Sequence, residues 1–116
     1  MNPAQIDFQQ LRIKHILYKS KVRAVLYGGT FDEGFFSHTG PVTFWFTSTG
    51  MVKYAREPEM KELYDTHTDL NSTALQLFKL YNSGKIDQAH DGLKTIERKS
   101  EYFLGVLSKL ETRLIA

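Results

Sequence analysis

Apolar side chains recur along this chain at steps of three and four residues, the spacing of one face of an α-helix. Phe8, Leu11, His15, Tyr18, Val22 and Val25 share such a face in residues 7–27, a stretch with neither Gly nor Pro. Gln10, Lys14, Lys21 and Arg23 fall mostly off it. Gly28-Gly29 follows, and glycine supplies the positive-φ residue that stops a helix. The pattern predicts a helix of about 20 residues, near 30 Å long at ~1.5 Å per residue.

Residues 30–40 (TFDEGFFSHTG) break the period. Thr30 with Glu33 has the spacing of a capping box over a single turn, and Gly34 and Gly40 interrupt any longer helix. Pro41 suits the first position of a short helix through VTFWFTST, ending at Gly50. Val42 to Phe46 are also strand formers. A lone strand has no partner to pair with, and no second β-like run exists, so the short helix is the expectation.

Pro58 opens the most regular element. Met60, Leu63, His67, Leu70, Ala74, Leu77 and Tyr81 alternate steps of three and four without a break, the seam of a helical bundle. Asn82-Ser83-Gly84 closes it. A last helix is predicted from Ile86 to the C-terminus, with Ala89, Leu93, Ile96, Ser100, Phe103, Leu107, Leu110 and Leu114 on one face. The connection between these two helices is short, so they lie antiparallel. The expected fold is all-α: an antiparallel four-helix-bundle-like domain with a short extra helix in a long first connection.

Composition narrows the chemistry. At 116 residues the chain is one ordinary domain, and it contains no cysteine. Disulfides, iron–sulfur clusters and thiol nucleophiles are therefore excluded. A formal charge of +2 is too near neutral to predict nucleic acid or membrane as a partner. No apolar run approaches the roughly 20 residues that span a bilayer, and MNPAQIDFQQ lacks the apolar stretch of a secretory signal. A cytoplasmic location is expected.

Two histidines stand where the helical period reserves core positions: His15 in the first helix and His67 in the third. A dry, unpaired imidazole costs on the order of 1–3 kcal/mol, so each needs a partner. Asn71 follows His67 by one turn. If the two helices run parallel, the imidazoles sit level, and His15, His67 and Asn71 form a polar plug. The favoured reading is a neutral hydrogen-bond network fixing helix register. The competing one is a metal site, because facing helices of bundles supply ligands; a zinc site needs three or four, to which His38, Asp32 or Glu33 of the loop would have to contribute. His90 beside the last stripe is expected half-exposed. Phe35, Phe36, Phe44, Trp45 and Phe46 read as an apolar lid beneath the long connection, and Lys14, Lys19, Lys21 and Arg23 as a solvated basic face. Nothing supports catalysis: there is no Ser-His-Asp grouping, phosphate loop or carboxylate pair on an apolar stripe.

The succession KHILYKSKVRAVLYGG, FWFTSTG, Tyr54 with EPEMKELYDTHTDL, and GKIDQAHDGL resembles the chemoreceptor zinc-binding (CZB) domain over about residues 7–110. In that family a histidine occupies the first helix, where His15 stands. A Cys-x-x-Gly-x-Trp segment follows, whose tryptophan matches Trp45, and a His-x-x-x-His pair lies on the third helix, where His67 matches the first member. Two family ligand positions are lost here: the cysteine falls on Gly40, and the second histidine of the pair falls on Asn71. The resemblance implies a single CZB-like domain over residues 1–116, a sensory or regulatory module of bacterial signalling and a homodimer. The family's zinc, held by three histidines and the cysteine, is the cofactor it brings to mind, here with weakened or lost binding. Such domains serve chemoreceptors and diguanylate cyclases. With both termini close to predicted helices, a stand-alone module signalling through a partner protein is expected. The alternatives are a metal sensor rebuilt from His15, His67 and His38, and, with less support, a haem binder.

Overall fold

A computed structural model describes residues 2–115. Its helices are α1 (Pro3–Leu26), α2 (Pro41–Trp45), α3 (Met51–Lys53), α4 (Pro58–Asn82), α5 (Ile86–Asp91) and α6 (Leu93–Ile115), with one π turn, Phe46–Gly50, joining α2 to α3. No strand occurs among the described residues. The all-α bundle is the fold that the periodicity predicts, with one adjustment at a helix end, one break inside the last helix and one change within the short helix.

The first helix starts at Pro3 rather than Asp7. Asn2 caps it: its side chain accepts from the Gln5 amide at 2.9 Å, and the Gln5 side chain accepts from the Asn2 amide at 3.0 Å. This reciprocal pair satisfies two otherwise orphaned donors and makes Pro3 a natural first residue. At the other end Gly28 takes φ 97°, which only glycine adopts without strain.

The last predicted helix is divided at Gly92 into α5 and α6. Here the backbone comes so close to α4 that a Cβ on Gly92 would lie 2.1 Å from Leu77 Cδ2. The 41–50 segment is helical as expected but widens into a π turn where the adjacent Trp45 and Phe46 are both buried. The capping turn assigned to Thr30 and Glu33 is made instead by Asp32, whose Oδ1 accepts from the Phe35 amide at 3.2 Å.

Cross-helix contacts fix the directions. Tyr18 packs on His67 with ring centroids 5.0 Å apart, and Gly28, just past the end of α1, lies beside the Tyr81 hydroxyl near the end of α4, so α1 and α4 run parallel. Arg12 pairs with Glu111, and Lys19 pairs with Glu97, so α6 runs antiparallel to α1. Tyr102 with Glu62 and Arg113 with Glu59 set the same relation to α4. The three long helices form a bundle, and the molecule measures 47 × 24 × 22 Å. Its remaining side is closed by the 27–57 connection, through buried Phe36, Val42, Trp45 and Phe46. Phe36 packs edge-on against Phe78 at 4.9 Å and stacks on Phe31 at 5.6 Å, which makes the apolar lid. Phe44 is not part of it; its side chain faces solvent at 61% exposure. No helix among the described residues is long and apolar enough to cross a membrane.

Candidate functional site

The helical period puts His15 and His67 on core stripes, and the parallel course of α1 and α4 brings them into one layer of the bundle. His15 is fully buried and His67 nearly so. Around them stand Tyr18 from α1, Asn71 from α4, Ser100 and Phe103 from α6, and Phe46 from the π turn. The His15 ring lies parallel to Phe103 with centroids 4.2 Å apart, and the His67 ring meets the edge of Tyr18 at 5.0 Å and Phe46 at 6.3 Å.

The hydrogen bonds in this layer differ from the expected plug. His15 Nε2 bonds Ser100 Oγ at 2.7 Å, not His67 or Asn71. Asn71 is committed elsewhere: its amide nitrogen donates to the Phe36 carbonyl at 3.0 Å, and its Oδ1 accepts from the Tyr18 hydroxyl. Asn71 therefore ties α1 and the lid to α4 instead of orienting His67. The reason is reach along the helix: the Tyr18 ring stands over His67, and its hydroxyl meets Asn71 one turn further on. Sequence reasoning placed Ser100 on the core face but did not pair it with His15. A hydroxyl on an otherwise apolar stripe was the available signal.

Both imidazoles keep a buried Nδ1 without a partner, as does the indole Nε1 of Trp45. Burial pulls His15 down to about 3, helped by the nearby positive charge that His67, Lys19 or Arg12 would present. Burial alone pulls His67 down to about 4. At neutral pH both rings are uncharged. A neutral imidazole carries one N–H, so if Nε2 of His15 donates to Ser100, its Nδ1 is a bare lone pair, the ligand-competent form. Ser100→Ala would strand His15 Nε2 in a dry site and is expected to destabilise the fold by about 1–3 kcal/mol. Urea denaturation at pH 7.5 measures this, and a change within about 0.5 kcal/mol, the range of an ordinary surface substitution, would count against the bond.

The donor set does not fit a zinc centre. A tetrahedral site takes three or four ligands, and no group of three or more His, Asp or Glu is gathered among the described residues. His38 is exposed on the connection, and Asp32 and Glu33 are exposed beside it. Gly40 offers no side chain, and its backbone is hemmed in: a Cβ there would lie 2.0 Å from the Phe35 carbonyl oxygen. His90, half-buried as expected, lies apart from this layer and bonds the Leu26 carbonyl at the C-terminus of α1, stacked on Tyr27 at 4.1 Å. A donor at that position satisfies an orphaned helix-end carbonyl. No family model, curated protein or solved structure matches the chain.

Proposed function

We propose that this is a regulatory module of bacterial signalling, similar to the chemoreceptor zinc-binding domain, in which the metal site has been reduced to a structural pair of histidines. One observation carries the reading: two buried imidazoles face one layer from parallel helices, each with an unpaired Nδ1, and no third ligand joins them. The output of such a module passes through contact with a protein partner. On the resemblance that partner is a chemoreceptor or a diguanylate cyclase, the working unit is a homodimer, and the location is the cytoplasm. Titration with zinc at neutral pH tests the reduced site. The expected result is no submicromolar one-site binding; such binding, abolished by His15→Ala, would overturn it.

The unpaired Nδ1 atoms also favour a second reading, a metal site rebuilt from His15, His67 and a loop ligand such as His38. That reading requires His38 to leave solvent and enter the bundle. An anomalous-diffraction peak at the two Nδ1 atoms after zinc soaking is its signature.

A further inference from the structure

The outer face of α1 carries a second seam. Ile6, Gln10, Ile13, Leu17, Ser20 and Ala24 follow one another at steps of four and three, and every one of them is exposed. At ~100° per residue this row lies on the far side of the helix from the core stripe of Leu11, His15, Tyr18 and Val22. Its aliphatic members are well out in solvent: Ile6 is 44% exposed, Ile13 66% and Leu17 47%, with Ile16 beside them at 53%. Scattered exposed apolar residues are ordinary. Three large aliphatics in heptad register on one face of one helix, with polar residues between them and a fourth, Ile16, at their flank, are the pattern of a helix that meets another helix.

The charges beside the seam say which kind of helix. Lys14 and Lys21 border one side and Arg23 the other. The only acid in α1 is Asp7, which is buried and held by Lys53 at 3.0 Å and the Tyr54 hydroxyl at 2.7 Å. A second copy of α1 laid along this seam would bring lysines against lysines or against neutral residues, never against a free carboxylate. A membrane surface would accept the cations, but the apolar row is narrow and broken by Gln10 and Ser20, where an interfacial helix presents a broad apolar face.

We propose that the outer face of α1 is a docking site for an acidic amphipathic helix of a partner protein, whose apolar stripe packs on Ile13, Ile16 and Leu17 while its carboxylates meet Lys14, Lys21 and Arg23. The helix-in-groove mode of recognition works by this division: apolar anchors supply affinity, and flanking charge supplies orientation and selectivity. The inference rests on the reading that the domain acts through a partner, and its test involves no metal, so its outcome is separate from that of the zinc titration.

The probe is a synthetic peptide of about three heptads with Leu at a and d and Glu at e and g, with a control carrying Lys in place of Glu. Fluorescence anisotropy with the intact protein is expected to show binding of the acidic peptide at least tenfold tighter than the basic one, weakening as salt is raised. Ile13→Gln with Leu17→Gln, which removes the anchors without adding charge to an exposed face, is expected to weaken binding at least tenfold with an unchanged thermal melt. Lys14→Glu with Lys21→Glu leaves the seam intact and is expected to reverse the preference between the peptides. Absence of binding, or equal binding of both peptides, overturns the proposal. So does a concentration-dependent dimer in sedimentation that Ile13→Gln with Leu17→Gln dissolves, which would assign the face to a second copy. Binding to phosphatidylglycerol vesicles lost in the same variant would assign it to a membrane and equally overturn the proposal.

Discussion

Lowering the pH from 7 to about 4.5 is expected to remove about 5 kcal/mol of stability, well before most carboxylates protonate. The cause is the pair of neutral imidazoles. His15 is held down to about 3 and His67 to about 4 in the folded protein, in each case chiefly by burial, whereas an unfolded histidine titrates near 6.5. Between those values the unfolded chain binds protons that the folded chain does not. Stability therefore rises with pH across this window and is lost as the pH falls through it. Each imidazole contributes a slope of about 1.4 kcal/mol per pH unit, and the two together about 2.7. For a domain whose total stability is roughly 5–15 kcal/mol, that loss brings the unfolding transition close to the conditions of the experiment.

Urea denaturation at half-unit steps from pH 7.5 to 4.5 measures the slope. His67→Leu keeps the site filled with an apolar side chain and removes one titrating group, so it is expected to halve the slope. His15→Leu has the same consequence for its own share, at the additional cost of leaving the Ser100 hydroxyl without its partner. Stability that stays flat between pH 7 and pH 5 would show that the rings are hydrated or relieved by local opening, and the two-histidine layer would not be the dry site described here. The Glu59 carboxylate does not confuse the measurement. Glu59, whose hydrogen bond to Arg113 holds it below the ordinary carboxylate range, gives stability that is lost only as the pH falls below about 4.5.

The helices were legible because burial and helical period coincide. The stripe from Met60 to Leu77 in α4 is buried throughout, and in α1 the residues from Phe8 to Val25 behave likewise. Ends were less legible, because they are set by single local devices. Asn2 with Gln5 extends α1 beyond its apolar stripe, and Gly92 divides the last helix where the backbone approaches Leu77. Of the candidate site, the burial of His15 and His67 could be read from position alone. Their partners could not, because hydrogen bonds within a layer depend on side-chain reach across helices, which periodicity does not encode. Tyr18 illustrates this: as one more aromatic on a core stripe it carries no signal of the bond to Asn71 that excludes His67 from that amide. The outer seam of α1 is hard to read from the sequence for a related reason. The core stripe alone accounts for the helix, and the exposure of Ile6, Ile13 and Leu17 is a property of the packed bundle.

Replacing Gly40 is expected to be damaging, and it bears directly on whether a zinc ligand could be placed at this position. Gly40 is buried at the entry to α2 with an ordinary φ of −68°, so its requirement is steric, not conformational. Its amide donates to the Ser37 carbonyl at 3.0 Å, and its carbonyl accepts from the Phe44 amide at 2.8 Å, pinning it on both sides. A Cβ would stand 2.0 Å from the Phe35 carbonyl oxygen and 2.9 Å from the carbonyl carbon, backbone atoms that no rotamer change can move aside. Gly40→Ala must therefore shift the 35–40 turn, which carries Phe36, the lid residue whose carbonyl takes the Asn71 amide and whose ring packs on Phe78. The expected cost is about 2–4 kcal/mol, in the upper range for overpacking because the obstacle is backbone. Gly34→Ala serves as the control: a Cβ there meets only the Asp32 carboxylate oxygen at 3.4 Å, an ordinary contact, and its stability is expected to stay within about 1 kcal/mol of the parent. Gly40→Cys with Asn71→His, which writes in the two donors that the resemblance to the zinc-binding domain would place there, inherits the same clash and also cuts the Asn71 bonds to Tyr18 and Phe36. That double variant is expected to be less stable than the parent in the absence of metal. If it proves as stable as the parent while binding zinc tightly, the turn is more pliable than its packing indicates, and Gly40 is a replaceable residue rather than one the fold requires.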